Sequence, residues 1–426
     1  MKNKFLKQLL KQFSNLRFAI ILLFLICCIS AIGTIIEQNQ TLQYYQTNYP
    51  ITNPLFGFFS WQVIYALQLD HVYTSNIFIL ILGLFSASLI SCTFTTQLPN
   101  FKKVQSWKFL KRKRDFKKSN YILTDTEFSR NTLLYQFYLS KYQIYKQGNK
   151  TFLFNGLSGR IAPILVHFSL LLLITGVILS SFSSFTAQEM VPRGEVFHVQ
   201  NIINSGPNSY INQNQTYRIN DFWTTYTADS KINQFYSDIS VLNNKGEEEL
   251  RKTIFVNEPL IYKNTVIYQT DWDVLGIKLK LPNDKIIQLP LKKVNNKGNK
   301  FWFSNFEINQ TKFSIVLNNL MGKVFLYDRN GTLVTEAQLG EKINLDFPII
   351  FNELIVATGI QIKVDLGIKL VFLSFFFLII STYTSFLSYS QIWIYENMNQ
   401  IYLRGETNRA VLGFQKQIGN LVKKSM

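Results

Sequence analysis

The sequence predicts a polytopic α-helical membrane protein with four transmembrane helices and a large external domain that is mainly β, an antiparallel sandwich or an open barrel. Three observations lead there. Four apolar stretches (Phe18 to Ile36, Ile77 to Phe94, Ile161 to Phe182, Leu370 to Leu387) reach the length a bilayer requires. Lysine and arginine alternate between the connecting segments as four spans demand. Residues 184–366 carry nineteen basic and nineteen acidic residues, and apolar side chains recur there with a period of two.

Residues 1–17 hold five Lys/Arg and no acid, which sets the N-terminus on the inner, cytoplasmic-type face. The first span, 18–36, is no secretory signal, because no small-residue cleavage site follows and a second span does. Its vicinal Cys27 and Cys28, with Cys92 near the inner end of the second span, are the only cysteines. They form neither a CxxC pair nor a disulfide framework and read as small apolar helix residues. The external loop 37–76 has no Lys/Arg and two acids, Glu37 and Asp70. His71 in LDHVYTS reads there as a surface histidine or an interfacial ligand.

The second span, 77–94, leads into a basic inner-face module at 95–160, with fourteen Lys/Arg against three acids and the run Lys111-Arg112-Lys113-Arg114. Thr124-x-x-Glu127 resembles a capping box before an amphipathic stretch with Leu133, Leu134 and Phe137. Strand-like runs near Tyr142 to Tyr145 and Thr151 to Phe154 flank a turn at 146–149. The third span, 161–182, begins in SGRIAPILVHFSL, with Arg160 before it and Pro163 in its first turn, where a missing N–H is harmless. His167 lies six residues in, about 9 Å deep at 1.5 Å per residue. A titratable ring in lipid is costly and needs a partner or a ligand. A neutral imidazole suits haem iron or a proton relay; a ring bonded to a neighbouring helix is an equally open reading.

The external domain, 183–369, is long enough to bury its own core and to escape the charge rule. Ile277, Leu279 and Leu281 alternate with lysines, and Phe313, Ile315 and Leu317 with polar residues, which marks half-buried strands. Asn330-Gly331 and the segment Asn243 to Gly246 read as hairpin turns. His198 in GEVFHVQ is expected at the surface near a strand start, and Asp271 and Asp273 flank Trp272 in a loop. The fourth span, 370–387, returns the chain to an inner-face tail, 388–426. The net charge of +18 therefore belongs to the inner-face segments, where it anchors the bilayer; nucleic-acid binding has no supporting motif. No catalytic motif and no clustered His/Cys metal site is present in the sequence.

Six patterns together resemble the ResB/CcsB-type membrane proteins of system II cytochrome c biogenesis, in the plastid and cyanobacterial form. They are LRFAIILLFLICCISAIGTIIEQNQ, LDHVYTSNIFILILGLFSASLISCTFTTQLP, SGRIAPILVHFSLLLLITGVI, VNEPLIYKNTVIYQTDW, ATGIQIKVDLGIKLVF and RGETNRAVLGF, spread from residue 16 to residue 414. Two departures are Leu366, where the family commonly has proline, and Asn264, where glycine is expected in the turn after Tyr262.

The resemblance implies an assembly subunit, without catalysis of its own, that works with a CcsA/ResC-type partner carrying the tryptophan-rich haem-handling segment; the six tryptophans of this chain are dispersed. It implies haem b in transit across the bilayer and apocytochromes c as clients. His167 would supply one haem axial ligand, a partner histidine the other. Arg160 would pair with a haem propionate, or serve as ordinary inner-face anchoring. The external domain would chaperone apocytochrome or clamp the partner's haem site. The compartment implied is the plastid thylakoid membrane with the large domain in the lumen; a bacterial membrane is the alternative. Two other functions compete: a membrane thiol–disulfide carrier resting on Cys27-Cys28, weak without a resolving thiol, and a purely structural scaffold.

Overall fold

The computed structural model describes residues 8, 10–105, 108–110, 113–116, 121–125, 129–210, 215–228, 231–296, 299–308, 311–344, 348–397 and 400–425. Four helices among them are long and apolar enough to cross a membrane: Leu16–Ile35, Asn76–Val104, Ser158–Ser183 and Ile368–Ser385. Side chains cap the first two: Asn15 accepts from the Arg17 N–H and Ser75 from the Phe78 N–H. The chain divides into two compact units, one of residues 1–181 with 367–426 and one of residues 182–366.

In the first unit Leu22, Phe78, Leu82, Phe85, Leu89 and Ile174 pack the first three spans together. The second span continues past Phe94, through a π-helical turn at Thr93–Gln97 and on to Gln105. Hydropathy ends near Phe94, but nothing there ends the helix. Thr93 and Thr95 return their hydroxyls to the Leu89 and Ser91 carbonyls at 2.8 and 2.7 Å, which satisfies them inside the helix.

The basic segment and the tail, expected as separate elements, share one antiparallel sheet. Its order is Tyr121–Asp125, Gln400–Thr407, Ser390–Asn397, Lys150–Asn155, Gln143–Gln147. Helices Arg130–Leu139 and Val411–Lys423 contribute to the core on the sheet, where Leu133, Phe137, Leu153, Ile392, Leu403, Phe414 and Ile418 are buried. One sheet cannot straddle a bilayer, so segments 121–155 and 390–407 lie on the same side of the membrane, as an even number of intervening spans requires. Of the expected capping box, Thr124 lies in a strand opposite Tyr402 and Glu127 lies outside the described residues; Ser129 caps the helix, accepting from the Asn131 N–H at 3.3 Å. The local S/T-x-x-E pattern lost to the pairing of residues 121–125 with the distant tail. Lys111 and Arg112 also fall outside the described residues.

Between the first two spans, Ile36, Tyr45, Tyr49 and Ile64 form a small core. Gln38 closes this segment, donating to the Ile36 and Leu69 carbonyls at 2.7 and 3.0 Å and accepting from the Val72 N–H at 2.9 Å.

The second unit is a double antiparallel sandwich. Two long paired strands, Thr265–Lys280 and Pro348–Val364, run through both halves. One half of them packs on the meander of five strands between Lys292 and Gln338, around Ile277, Leu279, Trp302, Ile315, Leu326 and Phe351. The other half packs on the sheet of Val196–Phe197, Thr216–Tyr226, Ile232–Leu242 and Glu248–Phe255, around Ala187, Ile219, Ile239, Ile267 and Ile360. Both expected hairpins form, and Gly246 and Gly331 take the left-handed backbone their turns need, at φ +80° and +79°. In the turn after Tyr262 the left-handed residue is Lys263, at φ 53°, one position earlier than the sequence suggested.

Asp271 and Asp273 lie in a strand, beside a register shift, and not in the expected loop. Their carboxylates cap backbone: Asp271 accepts from the Trp272 N–H and Asp273 from the Val274 N–H, each at 2.8 Å. Asp273 also accepts from Trp302 Nε1 at 2.5 Å, so the pair is structural.

Candidate functional site

His167 needs a partner, and the structure supplies one from the second span. Its Nδ1 lies 2.9 Å from Thr93 Oγ1. Thr93 is the first residue of the π-helical turn, so the irregular turn and the intramembrane histidine occupy the same place. Single π turns inside α-helices recur at functional sites. His167 is half-buried between the helices, and Phe168 beside it is exposed on the apolar flank.

The start of the third span is held from the end of the fourth. Gly159 admits the Leu387 carbonyl oxygen to within 2.1 Å of where a Cβ would stand, and Gly156, at φ +79°, does the same for the Ser388 carbonyl. That gives the Gly-Arg pair a packing reason. One residue on, the Arg160 guanidinium carbon lies 5.1 Å from the centre of the Tyr389 ring. Tyr389 is buried, and burial pushes its hydroxyl up from the ordinary tyrosine value. Arg160 Nε is buried and meets no acceptor among the described residues.

Arg160 and His167 are seven residues apart on one continuous helix. Seven residues are close to two full turns, so both start from the same helix face, about 10 Å apart along the axis. A single face thus offers an imidazole and, nearer the basic end, a half-buried guanidinium whose buried Nε meets no acceptor among the described residues. An amphiphile with a metal centre and carboxylate arms, such as haem, fits this donor set: nitrogen for iron, guanidinium for a propionate.

The other sequence candidates lie elsewhere. His71 Nδ1 is 2.9 Å from the Asp70 carboxylate, with the ring about 39% exposed. Nearby, Tyr73 donates to the Ser30 carbonyl at 3.1 Å and approaches Thr34 Oγ1 at 3.2 Å, with its ring against Gly33, so the Gly-Thr of the first span and the Asp-x-x-Tyr before the second form one junction. His198 is exposed, one residue past the short strand, with Nε2 3.0 Å from Gln200 Nε2. Cys27 and Cys28 are exposed on the first span, and Cys92 is partly buried.

Sequence reasoning missed Thr93 and Tyr389. A signal for the first was present: three threonines in Thr93-Phe94-Thr95-Thr96, at the end of an apolar run, are polar groups at membrane depth that ask for partners. Tyr389 carried none, because its role depends on the third span's entry coming back beside it.

The family model described as the ResB-like family matches residues 16–323. The chain is 45% identical over 424 residues to the cytochrome c biogenesis protein Ccs1 of Emiliania huxleyi, covering 98% of this chain and 96% of that one. It is 43% identical over 424 residues to the protein of the same name in Pyropia yezoensis, with the same two coverages. To that of Thalassiosira pseudonana it is 40% identical over 420 residues, covering 98% of this chain and all of the other.

Proposed function

The chain belongs to the ResB-like family, and from that premise we propose that it is the membrane assembly subunit of system II cytochrome c biogenesis, delivering haem for covalent attachment to apocytochromes c. The observation that carries the reading is the intramembrane His167, tied through Nδ1 to Thr93 and two helical turns from Arg160. His167 would hold the iron of haem in transit through its imidazole, and Arg160 would pair with a propionate. A CcsA/ResC-type partner would complete the iron's coordination, with this chain acting as an assembly subunit and not as a catalyst on its own. Exposed apolar faces on the spans, among them Phe372, Phe376 and Ile379 of the fourth, are consistent with lipid and partner contact.

Orientation follows from charge. The shared sheet of residues 121–155 and 390–407 lies with the basic segments, which face the stroma or cytoplasm, and the charge-balanced β domain faces the lumen. Relatives in algae support a plastid thylakoid location. The thiol-carrier reading gains nothing from Cys27 and Cys28, which are successive residues on an exposed helix surface.

The test is the absorption spectrum of the complex purified with its partner, wild type against His167→Ala. Loss of a reduced bis-histidine haem signal, with both subunits still co-purifying, is expected. An unchanged spectrum leaves haem to the partner and makes this chain a scaffold.

A further inference from the structure

We propose that Thr93 is the positioning residue of His167: it keeps the imidazole proton on Nδ1 and leaves Nε2 as a bare lone pair for iron. The inference rests on the haem-ligand reading above and adds the device that makes the ring competent.

A threonine hydroxyl has one proton, and the Leu89 carbonyl can only accept, so the 2.8 Å contact between them uses it. The 2.9 Å contact between Thr93 Oγ1 and His167 Nδ1 then needs a proton from the ring. Thr93 therefore selects the Nδ1–H tautomer. A neutral imidazole carries a single ring proton, so Nε2 holds none. In a bilayer no water competes for these groups, which keeps the selection strong.

The π turn places Thr93 where this is possible. Thr93 begins it, with Thr95 bonded back within the same helix and Pro99 following soon after. Metal-binding histidines generally donate their second ring N–H to an oxygen, which fixes ring orientation. Here the acceptor is a hydroxyl, not a carboxylate. The ring consequently stays an ordinary neutral imidazole, which suits a ligand that must release its cargo.

The test reads the tautomer directly. In the haem-free, solubilised full chain labelled with ¹⁵N-histidine, three histidines are present and His167→Ala assigns the one at issue. The wild type is expected to show His167 protonated at Nδ1 and bare at Nε2. Thr93→Val, which keeps the shape and removes the hydroxyl, moves the population toward the Nε2-protonated form, and Thr93→Ser restores the wild-type pattern. A wild-type His167 protonated at Nε2, or a tautomer unmoved in Thr93→Val, overturns the proposal. In the complex with its partner, Thr93→Val lowers haem occupancy by at least about tenfold and Thr93→Ser does not. If His167→Ala leaves the haem spectrum intact, the ligand reading fails. If His167→Ala abolishes that spectrum while Thr93→Val changes neither tautomer nor occupancy, the positioning role fails and the ligand reading stands. Should Thr93→Val not accumulate, the wild-type tautomer alone decides.

Discussion

A methyl group on Gly367 would stand 2.1 Å from the Gly176 carbonyl oxygen, and one on Gly176 would stand 3.0 Å from the Val371 nitrogen. The third and fourth spans therefore meet backbone to backbone where the chain re-enters the membrane, the close approach that small residues permit between helices in lipid.

Gly367→Val is accordingly expected to destabilise the solubilised protein by at least about 1–3 kcal/mol through overpacking. Gly419→Ala, where a Cβ meets nothing within 4 Å, makes the control. It should raise stability by roughly 0.5–1 kcal/mol, the propensity difference in a helix. Thermal unfolding of both variants decides; a drop of similar size in each would refute the packing argument.

The contact of Arg160 with Tyr389 predicts a measurable coupling. In a double-mutant cycle of Arg160→Gln and Tyr389→Leu, the interaction term should be about 0.5–2 kcal/mol, the range of a partly desolvated cation–π pair. Arg160→Gln should also reduce haem occupancy in the complex. Strict additivity would mean that the guanidinium only happens to lie over the ring.

Sharing a sheet ties the fate of residues 130–155 to the tail. Leu403→Ala, at a fully buried position in the central strand pair, should cost about 2–5 kcal/mol. Limited proteolysis should then cut within 130–155, although the substitution lies some 250 residues away in sequence. Protection of that segment in the variant would show that the two segments fold independently.

One pH effect lies outside the spans. The buried Tyr49 hydroxyl donates to the Glu37 carboxylate and holds it below the usual carboxylate range, while burial and Glu37 push Tyr49 up to about 12. A carboxyl lowered by folding contributes stability above its unfolded pKa and loses it as pH falls through the folded value. Tyr49→Phe should therefore be less stable than wild type at pH 7, and the gap should close as pH falls below the carboxylate range. A gap that widens with acid would reverse the assignment.

Local patterns carried much of this architecture. The period-two run from Ile277 forms a strand through Lys280, pairing with nearby residues 286–289 and with the distant 350–354, and Phe313 to Leu317 pairs with its sequence neighbours; each run buries one face. Asn330-Gly331 turns because its glycine takes φ +79° without a side chain to clash. The same reasoning failed at Thr124, which obeys a partner 278 positions further on, and at Asp271 to Asp273, whose turn-like composition sits on a long strand.

Legible in the sequence alone were four apolar stretches of spanning length, the alternation of charge between the segments that join them, the β character of the large domain and the singular position of His167. Those follow from hydropathy, charge and short-range periodicity, which are properties of residues and their near neighbours. That His167 meets Thr93, that Arg160 meets Tyr389, and that the tail completes the basic module's sheet emerges from the folded chain. Each of these joins residues at least 74 positions apart, and at that range the pairing is selected by packing and by the need to satisfy buried polar groups.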